Sequence, residues 1–203
     1  GLVSPTVVNA GESIIKGLEF DFSARITDSW SASLGYTYSD AYFDDFNTRQ
    51  IAESRFGAGA ALLLTGGVTA DAGNADGDFA GKQLPFSSKN SWTWGVRYDT
   101  YIGDSIGVFA DLGGQYQSKR YLSAGNRAYL DGYSIWNLSA GADHDGWSAV
   151  LYVDNLFDDD TVRSGLLNTD YGFGVSFEFD LAQAANLVLP QPRTAGLRLA
   201  YRF

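Results

Sequence analysis

Seven stretches of this chain alternate apolar and polar residues with period two, and no stretch stays apolar long enough to cross a membrane as a helix. A spanning helix needs about 20 apolar residues in a row. The longest apolar runs here, such as residues 60–64, fall far short. Period two sends successive side chains to opposite faces of a β-strand, so each stretch has one apolar and one polar face. In residues 30–40, Trp30, Ala32, Leu34, Tyr36 and Tyr38 share one face, with Ser31, Ser33, Gly35, Thr37 and Ser39 on the other. Just before them, Leu18, Phe20, Phe22 and Ala24 alternate with Glu19, Asp21, Ser23 and Arg25. Strands are expected at about residues 14–25, 30–40, 90–101, 106–117, 132–143, 147–156 and 193–203.

The connections fall into two classes. Short turns follow the first, third and fifth strands, the third of them carrying the tight-turn pair Asp145-Gly146. Long loops follow the second, fourth and sixth, at residues 41–88, 119–130 and 158–192. A soluble sandwich has no reason to sort its connections this way, whereas outer-membrane barrels have short periplasmic turns and long extracellular loops. Charge stands in mid-strand on the polar face (Glu19, Asp21, Arg97, Asp111), which is costly in a dry core and ordinary on a wet lumen wall. Trp30, Trp92, Trp147, Tyr201 and Phe203 near strand ends suit interfacial girdles. The expected class is therefore all-β, an antiparallel transmembrane β-barrel.

Composition narrows the function. With 14 Lys and Arg against 24 Asp and Glu, the chain has a net charge of −10. Nucleic acid is excluded as a partner, because phosphate binding needs a basic patch. The absence of Cys rules out disulfides, thiolate metal sites and a cysteine nucleophile. With no Met, even at position 1, the chain reads as a piece of a longer product.

Residues suited to chemistry are few. Residues 71–78 hold Asn74, Asp76 and Gly77 in the spacing of a calcium loop, but Ala72 and Gln83 occupy its two end-ligand positions. A solvated acidic loop is the simpler reading, and the sequence leaves ion binding there open. Asp158, Asp159 and Asp160 read as a solvated loop start, and the single histidine, His144, as a turn residue. His144 lies at the short-turn end, away from the long loops, so no enzyme, cofactor or metal site is expected. A small-molecule ligand would be met by the long loops. There Tyr42, Phe43, Phe46, Arg49, Arg55, Arg120, Tyr121, Arg127 and Tyr129 offer aromatic faces and guanidinium forks.

Four motifs, in order along the chain, carry a resemblance. Asn9-Ala10-Gly11-Glu12 leads into Gly17-Leu18-Glu19. Leu84-Pro85 precedes Lys89-Asn90-Ser91, with Ser88 where proline is usual. Asn155-Leu156-Phe157-Asp158 follows, and Pro192-Arg193-Thr194 runs through Gly196-Leu197 to Tyr201-Arg202-Phe203. The chain resembles the C-terminal part of the barrel of TonB-dependent outer-membrane receptors, active importers of scarce ligands such as siderophores, vitamins or oligosaccharides. That resemblance implies the last seven strands of a barrel of about 22. It also implies a Gram-negative outer-membrane location, a lipid bilayer around the barrel, and the remainder of the barrel and a plug upstream, with TonB engaged through that upstream part. Leu197, Leu199, Tyr201 and Phe203 would form the signal read by the barrel-assembly machinery, although Arg198 stands where that signal usually has glycine.

Two other readings stay open on sequence. Residues 171–181 also alternate, with Tyr171, Phe173, Val175, Phe177 and Phe179 on one face. Counted as a membrane strand, they would make a small self-contained eight-stranded barrel with a structural or passive-channel role. Otherwise they form part of an extracellular hairpin. The third reading is a soluble β-sandwich that binds a ligand.

Overall fold

The computed structural model describes residues 11–47, 78–126, 128–169 and 183–203. All regular structure among them is β: β1 (Glu12–Arg25), β2 (Trp30–Asp45), β3 (Asn90–Ile102), β4 (Ile106–Gln117), β5 (Arg120–Tyr121), β6 (Tyr129–Leu130), β7 (Tyr133–His144), β8 (Trp147–Asp154), β9 (Ser164–Thr169), β10 (Gln183–Val188) and β11 (Thr194–Tyr201). Seven of these form one antiparallel sheet in the order β1-β2-β3-β4-β7-β8-β11, while β5 pairs with β6 and β9 with β10. Each long strand thus pairs with the next long strand in sequence. β1 and β11 are the edges.

The register carries the alternation unbroken across the sheet. One row on the apolar face runs Phe20, Tyr36, Trp92, Tyr116 and another Trp30, Tyr98, Ala110, Ala140, Leu151, Leu197. Paired with these, the polar face has rows such as Glu19, Thr37, Ser91, Gln117, Tyr133 and Ser31, Arg97, Asp111, Ser139, Tyr152. Aromatic pairs stitch neighbouring strands on the apolar face. Tyr36 stacks on Trp92 at 4.0 Å, Trp30 tilts on Tyr98 at 4.8 Å, and Trp147 on Tyr201 at 4.7 Å. Trp94 and Trp136 meet at 4.4 Å across the intervening β4. They can do so because Gly114 lies between them, where a Cβ would sit 2.9 Å from the Trp94 indole nitrogen.

This apolar face is uncovered. Leu18, Phe22, Leu151 and Leu199 are each more than half exposed, and the buried apolar side chains among the described residues are Ala41, Phe43, Phe46, Phe79, Leu122, Leu130 and Ile135. Most of them belong to the long-loop end. A sandwich would bury the apolar face against a second sheet; no such layer exists among the described residues, and the soluble-sandwich reading fails there. From Trp30 to Tyr38 the apolar stripe rises about 20 Å once strand tilt is allowed for, close to the band that a bilayer needs.

At the short-turn end the chain reverses tightly. Asp145 (φ 45°) and Gly146 (φ 80°) both take positive φ, the requirement of a two-residue hairpin turn with the twist of its strands. At the other end β2 runs on through Asp45, so residues 41–45, expected as the start of a loop, are strand paired with β1. β9 and β10 form a separate hairpin outside the seven-stranded sheet. Residues 171–181 between them, the rival membrane strand, lie outside the described residues.

Candidate functional site at the long-loop end

Loop residues and strand ends pack on each other where the long connections leave the sheet. Phe43 and Phe46 are buried, with ring centroids 4.8 Å apart, and Phe79 closes the cluster 5.3 Å from Phe46. Leu84 and Ala124 pack against it. A returning segment, residues 78–84, is laced to the end of β2 through Phe79 N to Phe46 O, Gly81 N to Phe43 O and Leu84 N to Ala41 O. The second loop is tied to this strap by Asn126. Its side-chain oxygen accepts from Gln83 N at 2.7 Å, and its amide nitrogen donates to Gln83 O at 2.7 Å. Asn126 reaches both from a left-handed conformation (φ 57°), which asparagine tolerates better than most residues.

The candidates of the sequence therefore separate. Phe43 and Phe46 hold the loops together. Tyr42 falls on the apolar face, in the same row as Ile14 and beside Lys16. Arg49, Arg55 and Arg127 lie outside the described residues. Arg120, Tyr121 and Tyr129 belong to the β5–β6 hairpin, where the two tyrosine rings meet edge to face at 6.3 Å and the Lys119 ammonium lies 5.0 Å from each.

At the upper edge of the polar face, Arg120 joins residues that the sequence did not single out. Gln117 Oε1 accepts from Arg120 at 2.7 Å and from the Tyr133 hydroxyl at 3.1 Å. The Arg163 guanidinium lies 5.4 Å over the same Tyr133 ring and donates to the Asp159 carbonyl at 3.1 Å. Its Nε is buried and has no partner. Two guanidinium groups thus stand near one tyrosine, a pair of forks able to donate to carboxylate, catecholate or phosphate oxygens. Tyr133 could have been found as an aromatic on the polar face at a loop-end strand terminus, among Gln117, Ser91 and Thr37; Arg163 left no signal in its surroundings.

Lower on the polar face, Arg97 donates through Nε to Asp99 at 2.8 Å and through Nη1 to Asp111 at 2.8 Å, with its guanidinium 4.5 Å over Phe109. A charge wholly matched in this way suits a wet wall. Above it, Thr93, Gly113, Gln115, Asn137, Ser139 and Tyr152 border a shallow groove of about 430 Å³. No cluster of three or more metal-ligating side chains occurs among the described residues.

Asn155 and the aspartates after it anchor the third loop. Asn155 is buried, takes φ 52°, donates to the carbonyls of Asp159 (3.0 Å) and Gln191 (3.1 Å), and accepts from Asp159 N. Asp158 Oδ1 accepts from Arg193 N at 2.7 Å, and Asp159 accepts from Ser134 N and Thr161 N. The two ends of residues 158–192 are clamped where they leave the sheet. All four lysines, Lys16, Lys82, Lys89 and Lys119, lie at this long-loop end. The Asp40 carboxylate, hydrogen-bonded to Lys89 at 2.7 Å, holds that amine above its usual range. At the opposite end His144 bridges two short turns through Ser105 O and Asp145. Leu197, Leu199, Tyr201 and Phe203 are all exposed on the apolar side.

A family model described as "TonB dependent receptor-like, beta-barrel" matches residues 2–156. Among solved structures, the ferric yersiniabactin uptake receptor FyuA of Yersinia pestis is similar over 96% of this chain and 24% of its own, at 19% identity and a TM-score of 0.66. The siderophore receptor PiuA of Acinetobacter baumannii is similar over 93% and 22%, at 17% identity and 0.59. BauA, the ferric preacinetobactin receptor of the same organism, is similar over 96% and 23%, at 18% identity and 0.59. The chain spans about a quarter of the length of these receptors.

Proposed function

Because this chain belongs to the family of TonB-dependent receptor β-barrels, a family of transport receptors, we propose that it is the C-terminal wall of an outer-membrane importer for a scarce ligand, energised through TonB by way of upstream segments. On this reading the seven strands are the last of a barrel of about 22. The long-loop end faces the exterior, the apolar face meets lipid, and the polar face lines the lumen around a plug. Leu197, Leu199, Tyr201 and Phe203 present a row of apolar side chains to the assembly machinery.

The ligand is an anionic chelate of the siderophore class, a reading supported by the description of PiuA as a siderophore receptor and of FyuA and BauA as receptors for ferric yersiniabactin and ferric preacinetobactin. The observation that carries it is the pair of guanidinium groups near Tyr133, Arg120 through the shared Gln117 Oε1 and Arg163 over the ring. Guanidinium forks make charge-assisted hydrogen bonds with the carboxylate or phenolate oxygens such a chelate carries. Tyr121 and Tyr129 supply further aromatic faces beside Arg120, while Phe43 and Phe46 pack the described loop ends together.

The test uses the full-length receptor, with Arg120→Gln and Arg163→Gln singly and together. Each loss of a charged hydrogen bond should weaken binding of a ferric chelate about tenfold, corresponding to the lower part of the range for such bonds. Outer-membrane level and heat-modifiability should be unchanged. If the double variant binds every ferric chelate that the parent binds with the same affinity, the site is elsewhere.

A further inference from the structure

The short-turn end holds the single histidine of the chain, which the transport reading leaves without a role. The β4–β7 ladder runs down to Gly107 and Asp143. One step further the His144 ring takes over. Its Nδ1 lies 3.3 Å from the Ser105 carbonyl oxygen in the β3–β4 turn, and its Nε2 lies 3.2 Å from Asp145 Oδ2 in the β7–β8 turn. Through Gly146 O, the β7–β8 turn also accepts from Arg202 N at 2.9 Å. Two turns and the end of β11 are thus joined at one level, around a cavity of about 560 Å³.

Both groups that face the ring are pure acceptors, since neither a carbonyl oxygen nor an ionised carboxylate has a proton to give. A neutral imidazole carries one N–H, so in either tautomer it satisfies one partner and turns a lone pair on the other. Only the imidazolium, with a donor on each nitrogen, makes both contacts. Four charged groups surround it. Asp145 meets the ring directly, Asp143 one position back sets its carboxylate beside Gly107, Asp104 precedes Ser105 in the facing turn, and Arg202 lines the cavity with Tyr101. We propose that His144 is a proton-operated latch between the β3–β4 and β7–β8 turns. Imidazole changes charge between about pH 5 and 8. In acid the ring donates to Ser105 O and Asp145 at once and holds the turns together. As pH rises and the ring loses a proton, one of the two contacts is lost and the turns part more readily. On the orientation given under Proposed function, the latch stands at the periplasmic rim and makes the mobility of that rim follow the pH there.

The test is amide hydrogen exchange in the full-length receptor, read by mass spectrometry on the peptide covering residues 102–107 and corrected for the intrinsic pH dependence of exchange. In wild type this peptide should exchange about threefold more slowly at about pH 5.5 than at about pH 7.5, the size expected of a solvent-exposed charge pair. The β1–β2 turn at residues 26–29, which has no histidine, should show equal corrected rates. His144→Gln cannot change charge, and its corrected rates should be the same at both pH values. Asp145→Asn keeps the histidine and removes the carboxylate, and it should lose most of the difference. Neither variant alters the sequence of the 102–107 peptide. No pH difference in wild type would overturn the proposal, and so would a difference that persists undiminished in His144→Gln or in Asp145→Asn. These readings hold whichever side of the membrane the turns face, so failure of the latch and failure of the import reading are told apart.

Discussion

A single residue step along β2 decides whether a side chain meets lipid or water. Leu34 lies midway between Trp30 and Tyr38 on the apolar face, in the row Phe22, Leu34, Trp94. Thr37 lies on the polar face between Glu19 and Ser91. In the full-length receptor, Leu34→Arg should cost about 2–4 kcal/mol of barrel stability, the range for a charge near mid-bilayer on a lipid-facing position. Thr37→Arg should cost little, since its new guanidinium points into water towards the Glu19 carboxylate. The fraction of heat-modifiable receptor in isolated outer membranes reads the difference, and equal assembly of the two variants would contradict the facing of the whole sheet. This facing was legible in the sequence residue by residue, because lipid on one side and water on the other impose opposite demands at every second position. Arg163 was not legible, since its importance comes from lying over Tyr133, thirty positions away in sequence.

Elements differ in how far local sequence specifies them. The seven long strands write their pattern over many residues. β5 and β6 have two residues each, too few for any period, and are held by Asn126 on Gln83 and by Phe86 N on Tyr121 O. The upper part of β2 eluded the period for another reason. Above the membrane level its polar-face positions, Ala41 and Phe43, are buried beneath the strap of residues 78–84 while the other face carries Asp40 and Tyr42, so the pattern inverts where the strand continues. Beyond β8, the segment Asn155-Leu156-Phe157-Asp158 reads in sequence as a family signature and in structure as a clamp. Asn155→Ala would strand the carbonyls of Asp159 and Gln191 and put alanine at φ 52°. It should cost about 2–4 kcal/mol. In the full-length receptor this should appear as a lower temperature for loss of heat-modifiability and as faster protease cleavage within residues 158–192, with insertion retained. Cleavage as slow as in the parent would show that the clamp does not hold that loop.

For the whole molecule the unpaired edges matter most. β1 and β11 each offer a line of backbone donors and acceptors with no partner among the described residues, a state that lipid does not tolerate and that invites aggregation in water. Expressed alone, residues 1–203 should yield no monomeric heat-modifiable barrel in detergent, whereas co-expression with the upstream barrel strands should rescue assembly. A closed monomer from this segment alone would restore the eight-stranded reading and require residues 171–181 as a wall strand. The placement of lysine has a separate consequence. Since Lys16, Lys82, Lys89 and Lys119 all stand at one end of the sheet, primary amines make this part of the molecule chemically two-sided. An acylating dye that cannot enter cells would find every side-chain amine of the segment on the same side, and one added from the periplasm would find none, so the protein carries its own label of which way up it sits.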